Sequence, residues 1–425
     1  MAKFLFQGFA PACAAIASLA LANVAAAQSQ TIVVDEAGGP GSQFTDLPPA
    51  VAAASPGDVI KVRAGAYTAF TLSKNVTIVG EWGVVVDPGI VVTGIPPGDE
   101  AVLAYLDCGT LQVTNCSATV VFDHCTFTGF VPPSTSGNPL ILVDHCADVR
   151  FHRVLAQPNE ASSGRGALGL RAINARVELA SCTIYGGKGA DWGVVSAKAG
   201  GIGVDCGSGS RVHLALSEVF GGQGGHGYYF ALQNGGSGGD GIEVAPGAVA
   251  ILAGVAANDI KGGPSNGPYT SQGPFPLPGY AVDVLSGGTL RYSGVTIPAG
   301  TYGIRSFGTV VHATPDDPTV EVAGSTYNGD TLTFTVHGSP GNIGRLQQGN
   351  QALVSDDGQA VIEKLCNRIR QHPLGVLPAS GAAQFTYVVP TTWPVGFTRF
   401  FQGYQYAAPL QNLIDRANSV AVVVP

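Results

Sequence analysis

The sequence predicts an all-β protein, a right-handed parallel β-helix (a single-stranded solenoid) followed by a small β-sandwich-like domain. Three observations support this: few charged residues, many glycines and an internal repeat of short apolar strands. Charged residues make up 12% of the 425 residues, about half of ordinary usage, and glycine occurs 60 times. Low charge with abundant Gly, Val and Ile is typical of short strands and tight turns.

The N-terminus predicts a secretory signal peptide over residues 1–27. Lys3 precedes an apolar run from Phe4 to Val24, and Ala25-Ala26-Ala27 supply the small residues of a cleavage site. The alternative, a membrane anchor, is disfavoured by the position of the run and by its Ala-rich composition. We therefore expect an exported chain with no transmembrane span after cleavage.

The charge balance argues against nucleic acid as a partner. The chain has a net charge of −8, which becomes −9 without residues 1–27, because Lys3 is the only charged residue in that segment. Phosphate binding depends on a cationic surface, and the sequence contains no dense basic stripe. A polysaccharide or a cell-envelope component is the partner that we expect.

Residues 28–80 are predicted to form the N-terminal cap and first coil, with strands at Thr31–Val34, Val59–Val62 and Val76–Val79 and a helix around Leu47–Ala54. The segments that carry a family resemblance are Phe44-Thr45-Asp46-Leu47, Ala50-Val51, Gly57–Val62, Gly65-Ala66-Tyr67 and Val76–Gly80. They resemble the opening of pectin-lyase-like β-helix proteins. The resemblance implies a short helix that covers the end of the coil stack and protects its open strand edges.

Residues 81–314 are predicted to form the β-helix, because they contain a repeat. The corresponding strands are Arg176–Leu179, Arg211–Leu214, Val249–Leu252 and Thr289–Tyr292. Val204, Val244 and Val284 recur at a spacing of 40 residues, and we align them. A spacing of 40 residues is longer than a bare β-helix coil needs. The extra residues predict Gly-rich loops that project over one side of the coils, at Gly186–Gly200, Gly221–Asp240 and Gly262–Gly279.

Two inward columns are predicted within the coils. One stacks Phe122, Phe151, Leu179 and Leu214, and the other, three residues later, stacks Cys125, Val154, Cys182 and Ser217. Seven cysteines remain after signal cleavage, an odd number, so at least one is free or pairs between chains. Packing of the thiols inside the coil and disulfide formation both stay open.

Residues 315–425 are predicted to form a mostly-β C-terminal domain. Apolar residues alternate around Val320, Phe334 and Phe385, while the spacing of Val361, Leu365 and Ile369 is helical.

The main candidate site is a carboxylate pair. If Val244 and Val284 stack, then Glu243 and Asp283 face outward on adjacent coils, about 4.8 Å apart. Such neighbours raise one another's pKa, which suits general acid and base catalysis and the active sites of retaining glycosidases. An exposed pair with only a structural role is the alternative.

Further residues are candidates for binding substrate. A second outward column is predicted to hold Asp144, Arg171 and Asp205, either as a salt ladder or as a sugar site in which Arg recognises an acidic group. In the glycine-rich loops, the aromatic rings of Trp192 and Tyr228 either stack on sugars or cover their own loops, and His226 is either a binding residue or part of the loop composition. His152 and Arg153 beside Asp123 and His124 form another polar patch.

The resemblance to pectin-lyase-like proteins implies cleavage of acidic polysaccharides, but the familiar active sites are incomplete. Val121-Phe122-Asp123-His124 is similar to a pectate lyase segment, yet the Arg-x-Pro-x-x-Arg segment of those enzymes is missing. Gly225-His226-Gly227 is similar to a polygalacturonase segment, yet the Asn-Thr-Asp of those enzymes is missing.

The sequence therefore leaves two functions open. One is a protein that binds extracellular polysaccharide or acts on it, as a lyase or glycoside hydrolase; the other is a non-enzymatic structural or adhesive surface protein. We expect no cofactor and no obligatory metal, although Asp and Glu columns could hold Ca²⁺.

Overall fold

The computed structural model describes residues 29–129, 138–191, 197–227, 235–254, 260–266, 276–295, 297, 302–313, 317–355, 364–366, 369–408 and 413–425. The predicted signal peptide lies outside these residues. Within them the chain forms 34 strands and one short helix.

Parallel strands occupy the first part of the chain. In order, the elements are β1 (Thr31–Val34), α1 (Leu47–Ala53), β2 (Val59–Val62), β3 (Gly65–Leu72), β4 (Thr77–Gly80), β5 (Val84–Thr93), β6 (Glu100–Ala104), β7 (Asp107–Thr114), β8 (Thr119–Asp123), β9 (Thr126–Phe127), β10 (Pro139–Asp144), β11 (Asp148–His152), β12 (Leu155–Ala156), β13 (Leu168–Ile173), β14 (Arg176–Ala180), β15 (Thr183–Tyr185), β16 (Val204–Cys206), β17 (Arg211–Ala215), β18 (Glu218–Phe220), β19 (Ile242–Val244), β20 (Val249–Ala253), β21 (Ile260–Lys261), β22 (Val282–Val284), β23 (Thr289–Ser293), β24 (Ile304–Ser306) and β25 (Thr309–His312).

These strands wind into coils with three sides. One side, which we call sheet A, has eleven strands in the order β1-β2-β4-β6-β8-β11-β14-β17-β20-β23-β25. The other two sides share β7: the front lane continues as β10-β13-β16-β19-β22-β24, and the rear lane as β9-β12-β15-β18-β21. Each full coil thus passes through the front lane, sheet A and the rear lane, which confirms the predicted parallel β-helix.

The corners between the sides are tight. A single non-glycine residue in the left-handed region turns the chain between sheet A and the rear lane in successive coils, as at Arg153 (φ 54°), Ser181 (φ 55°) and Leu216 (φ 51°). This conformation is uncommon outside glycine. Its recurrence is what allows the corner to close in so few residues.

A short helix lies within the segment for which the sequence predicts one, Leu47–Ala54. Helix α1 begins after Asp46, whose carboxylate accepts from the backbone N–H of Leu47, and prolines occupy its first turn. Leu47, Ala50 and Val51 are buried against the first coils. The helix therefore shields the apolar end of the stack.

The predicted inward columns are confirmed. Phe122, Phe151, Leu179 and Leu214 are register partners on successive strands of sheet A. The rings of Phe122 and Phe151 stack with centroids 5.1 Å apart. In the second column, Cys182 lies three residues after Leu179. It is buried, as are all seven described cysteines.

One predicted alignment is wrong. Val204 pairs with Ile242 and Cys206 pairs with Val244, so the coil that starts at Val204 has 38 residues and only the next one, from Ile242 to Val282, has 40. A shift of two residues keeps the same face of a strand inward, and periodicity therefore cannot distinguish the two alignments.

The Gly-rich inserts pack differently from the predicted loops. Their described parts are hydrogen-bonded to one another through the backbone: Gly201 N–H donates to Gly187 O at 2.8 Å, Gly222 N–H to Gly201 O at 2.7 Å, and Gly239 N–H to Gly222 O at 2.8 Å. A Cβ added to Gly222 would lie 2.0 Å from Gly187 O, closer than any side chain can approach. The glycines are needed because the backbones touch, and the inserts form a platform.

Antiparallel strands form the C-terminal part. They are β26 (Thr319–Gly324), β27 (Thr331–His337), β28 (Ile343–Gly349), β29 (Ala352–Ser355), β30 (Lys364–Cys366), β31 (Arg370–Val376), β32 (Ala382–Val388), β33 (Thr398–Tyr406) and β34 (Leu413–Val423). They pair as β26-β27-β32, β31-β28-β33-β34 and β29-β30. The predicted helical segment is wrong where it is described, since Leu365 lies in β30 and pairs in an antiparallel hairpin.

The C-terminal part packs against the outer face of sheet A. Val102 and Val121 of the coils share an apolar cluster with Phe400, Ala421 and Val423. This explains why sheet A carries outward-facing valines. The two parts therefore share a buried interface.

Candidate functional site

A row of charged side chains follows the outer face of the front lane. Arg171, Asp205, Glu243, Asp283 and Arg305 are register partners on β13, β16, β19, β22 and β24. Their inward neighbours are apolar, as at Val204, Ile242 and Val282, so the alternation along each strand turns these five side chains outward. We call this row the front ladder.

The ends of the front ladder are ion pairs. Arg171 Nε donates to Asp205 Oδ2 at 2.6 Å. At the other end, Arg305 Nε donates to Asp283 Oδ1 at 2.8 Å, and a second guanidinium nitrogen of Arg305 bonds Asp283 Oδ2. The Arg305 guanidinium also lies over the ring of Tyr280, 4.2 Å from its centroid. Each terminal arginine is thereby fixed in place.

Asp240 joins the middle of the ladder from the glycine platform. It directly precedes Gly241 and β19, and its Oδ1 accepts from the Tyr280 N–H at 2.6 Å. One carboxylate oxygen from each of Asp240, Glu243 and Asp283 lies within 4.8 Å of the others. Carboxylate oxygens in such a group are suitable ligands for Ca²⁺, so these three residues could hold a metal ion.

Glu243 differs from its neighbours in the ladder. Burial raises its pKa, and the nearby carboxylates of Asp205, Asp240 and Asp283 raise it further, while Arg165 lowers it. The pKa of Asp240 is also raised, chiefly by burial. A half-buried carboxyl with a raised pKa can carry a proton and donate it, which is the property of a general acid.

The structure brings the two predicted sets together. Glu243 and Asp283 are paired on adjacent coils as expected, and Arg171 and Asp205 continue the same column rather than a second one. The catalytic role of Glu243 and Asp283 stays a prediction. Asp283 is only 1% exposed and both its oxygens are bonded to Arg305, an arrangement that also suits a structural salt bridge.

Asp144 does not belong to the ladder. Leu142 is the register partner of Arg171, and Asp144 pairs with Ile173 at the end of its strand. There its carboxylate contacts His145 Nδ1 at 2.7 Å. Asp144 would face outward in the predicted register, beside Arg171, as well as in the observed one. The pairing of Ile141 with Leu170 fixes the observed register.

The predicted loop residues are only partly described. His226 is exposed in the glycine platform, where its backbone N–H donates to Asp191 Oδ1 at 2.8 Å. Trp192 and Tyr228 lie outside the described residues. The role of all three in binding stays a prediction.

In the predicted polar patch, Asp123 and His152 are not open to a ligand, whereas the His124 and Arg153 side chains are 33% and 17% exposed. Asp123 and His152 are 0% and 1% exposed, and strand β34 covers them. His152 Nδ1 accepts from the Ala421 N–H at 3.0 Å, and Arg153 donates to both Asp123 and Ala421 O. Burial raises the pKa of Asp123, but Arg153, His124 and His152 outweigh it and lower it to about 2.

A second row of polar residues continues this covered surface. Arg150, Glu178 and His213 are register partners on β11, β14 and β17 and face outward from sheet A. Arg150 is paired with Asp148 at 2.7 Å, and Ser419 Oγ of β34 donates to Glu178 Oε2 at 2.9 Å. We call this row the sheet A ladder. The C-terminal part binds Arg150 and Glu178, so this stretch of the row is an internal interface.

Sequence reasoning missed Asp240, Tyr280 and Arg305. Asp240 ends a glycine run directly before a strand, which was a usable signal. Arg305 lies on a three-residue strand after the last repeat segment identified in the sequence, so the repeat did not indicate its position. Their convergence depends on how the inserts pack.

Comparisons with known proteins leave the family open. No protein-family model matches the chain, and no curated protein matches it. Among solved structures, the siphovirus 9NA tailspike receptor binding domain aligns at 10% identity with a TM-score of 0.18, covering 93% of this chain and 98% of that chain. A score that low supports no argument about function. Within the described residues, no helix is long and apolar enough to cross a membrane.

Proposed function

We propose that the protein binds an extracellular polysaccharide along the front ladder. The observation that carries this proposal is the position of half-buried Glu243 between the ion pairs Arg171–Asp205 and Asp283–Arg305, with Asp240 beside it. Carboxylates accept hydrogen bonds from sugar hydroxyls, and arginine recognises an acidic sugar group. The row is regularly spaced, as the repeating units of a polymer are.

Aromatic side chains beside the ladder support the same proposal. Tyr280 and Tyr302 lie with ring centroids 6.0 Å apart, and Phe307, two residues after Arg305, is 68% exposed. An apolar ring face matches the C–H face of a pyranose. Charged groups and open rings at one end of a rigid sheet give a sugar both of the contacts that it needs.

We also propose that the protein is exported and that it belongs to the pectin-lyase-like β-helix superfamily. Residues 1–27 carry the features of a signal peptide, and the cap helix with stacked three-sided coils is what that family resemblance implies. Cleavage of the polymer would use Glu243 as the proton donor, since its pKa is raised. The second carboxylate of such a reaction would be Asp283 or Asp240.

The second candidate function is a non-enzymatic structural or adhesive protein. The bidentate contact of Arg305 with Asp283 favours it, because a carboxylate held in this way is a poor nucleophile. Binding without cleavage would then be the whole activity.

A polysaccharide panel tests the proposal. Acidic and neutral polymers are assayed for binding, for new reducing ends and for the ultraviolet absorbance of unsaturated products. We expect at least one acidic polymer to bind, and Glu243→Gln to weaken that binding about tenfold or more. Glu321→Gln, at an exposed acid of β26, is the matched control and should bind normally. No binding across the panel, or equal binding by both variants, would overturn the proposal.

A further inference from the structure

Cys116 and Cys146 carry an inference that is independent of the front ladder. They occupy equivalent positions on adjacent coils, since Thr114 pairs with Asp144 and the Ala147 N–H donates to Cys116 O at 2.8 Å. Adjacent strands are about 4.8 Å apart, within the roughly 4.4–6.8 Å between Cα atoms that a disulfide requires. The two thiols are in hydrogen-bonding contact, and both residues are buried.

We infer that Cys116 and Cys146 form a disulfide that joins two coils during folding in an oxidising compartment. The two thiols lose two protons and two electrons as the S–S bond forms, and a thiol–disulfide exchange partner takes up the electrons as its own disulfide becomes a dithiol. Reactivity supports the step, because the contact with Cys146 lowers the pKa of Cys116 to about 7.

Peptide mass spectrometry of chain exported to an oxidising compartment, alkylated while denatured and without reductant, tests the disulfide. We expect a linked peptide pair that contains Cys116 and Cys146, while Cys182 is alkylated. In Cys116→Ser, Cys146 should become alkylated. Recovery of both thiols in alkylated form from the exported wild-type chain would overturn the inference.

Discussion

The two outward ladders of this β-helix consist of similar charged and polar residues, but they differ in their exposure. The sheet A ladder of Arg150, Glu178 and His213 is buried, with β34 in contact with Arg150 and Glu178, whereas Arg171 and Arg305 of the front ladder are 32% and 39% exposed in their side chains. Charged residues on a solenoid therefore do not identify a ligand site by themselves. The position of the last strand decides which row is an interface and which can meet a partner.

The largest expected difference between the ladders concerns their arginines. Arg150→Ala leaves Glu178 buried without its cation and Asp148 with only Arg176, 3.8 Å away, and should lower the free energy of unfolding by about 3–5 kcal/mol. Arg171→Ala removes a partly exposed pair and should cost about 1 kcal/mol or less. Urea unfolding measures both, and equal losses would contradict the distinction.

The pH dependence of stability should also come from the sheet A side. Burial lowers the pKa of His152 and of His213 to about 3, below the value of an unfolded histidine. Their neutral forms are therefore favoured in the fold, and the stability that they confer is complete above about pH 6.5 and is lost as the pH falls toward 3. At pH 5 each should cost about 2 kcal/mol.

Unfolding between pH 5 and pH 8 checks this, with His152→Asn as the variant. It should reduce the loss at pH 5 by about 2 kcal/mol. His372, whose pKa burial also lowers, acts in the same direction and stays in both proteins. Burial raises the pKa of Glu178, Glu243 and Asp240, so these acids act in the opposite sense, because the fold disfavours their charged forms. A stability that rises from pH 6.5 to pH 5 would contradict the account.

A smaller effect is expected at His213. Neither of its ring nitrogens has a hydrogen-bond partner among the described residues, and the residue is 4% exposed. His213→Leu removes an unsatisfied polar group and keeps the volume similar, so it should raise the melting temperature and add about 1 kcal/mol of stability. A destabilised variant would show that the imidazole has a polar role.

The smallest stability effect is expected in the front ladder. Glu243→Gln removes a charge that lies among three other carboxylates, so it should raise the free energy of unfolding at pH 8 by about 0.5–1 kcal/mol. Its effect on polysaccharide binding should be far larger. A loss of stability would mean that the ionised Glu243 supports the fold.

Sequence patterns predicted the coils better than the surfaces. Inward columns such as Phe122 and Phe151 follow from apolar alternation, and the helix expected around Leu47–Ala54 is observed at Leu47–Ala53. The errors at Asp144 and Val204 are both offsets of two residues, which leave the alternation unchanged. The register had to come from three-dimensional packing.

The covered surface could not be predicted for a different reason. His152 and Arg153 are hydrogen-bonded to the backbone of Ala421, which lies 269 and 268 residues further along the chain. No local pattern reports a partner so distant in the chain. The same holds for the glycine platform, where close backbone contact, and not flexibility, accounts for the composition.

Carboxyl footprinting tests the central distinction most directly. The native protein is labelled with a carbodiimide and an amine at pH 7, and modified sites are located by peptide mass spectrometry, with the exposed Glu321 as the reference. The account predicts that Glu243 is labelled and loses its label when an acidic polysaccharide binds, whereas Glu178 stays unlabelled throughout. Labelling of Glu178 as fast as that of Glu243 would contradict it.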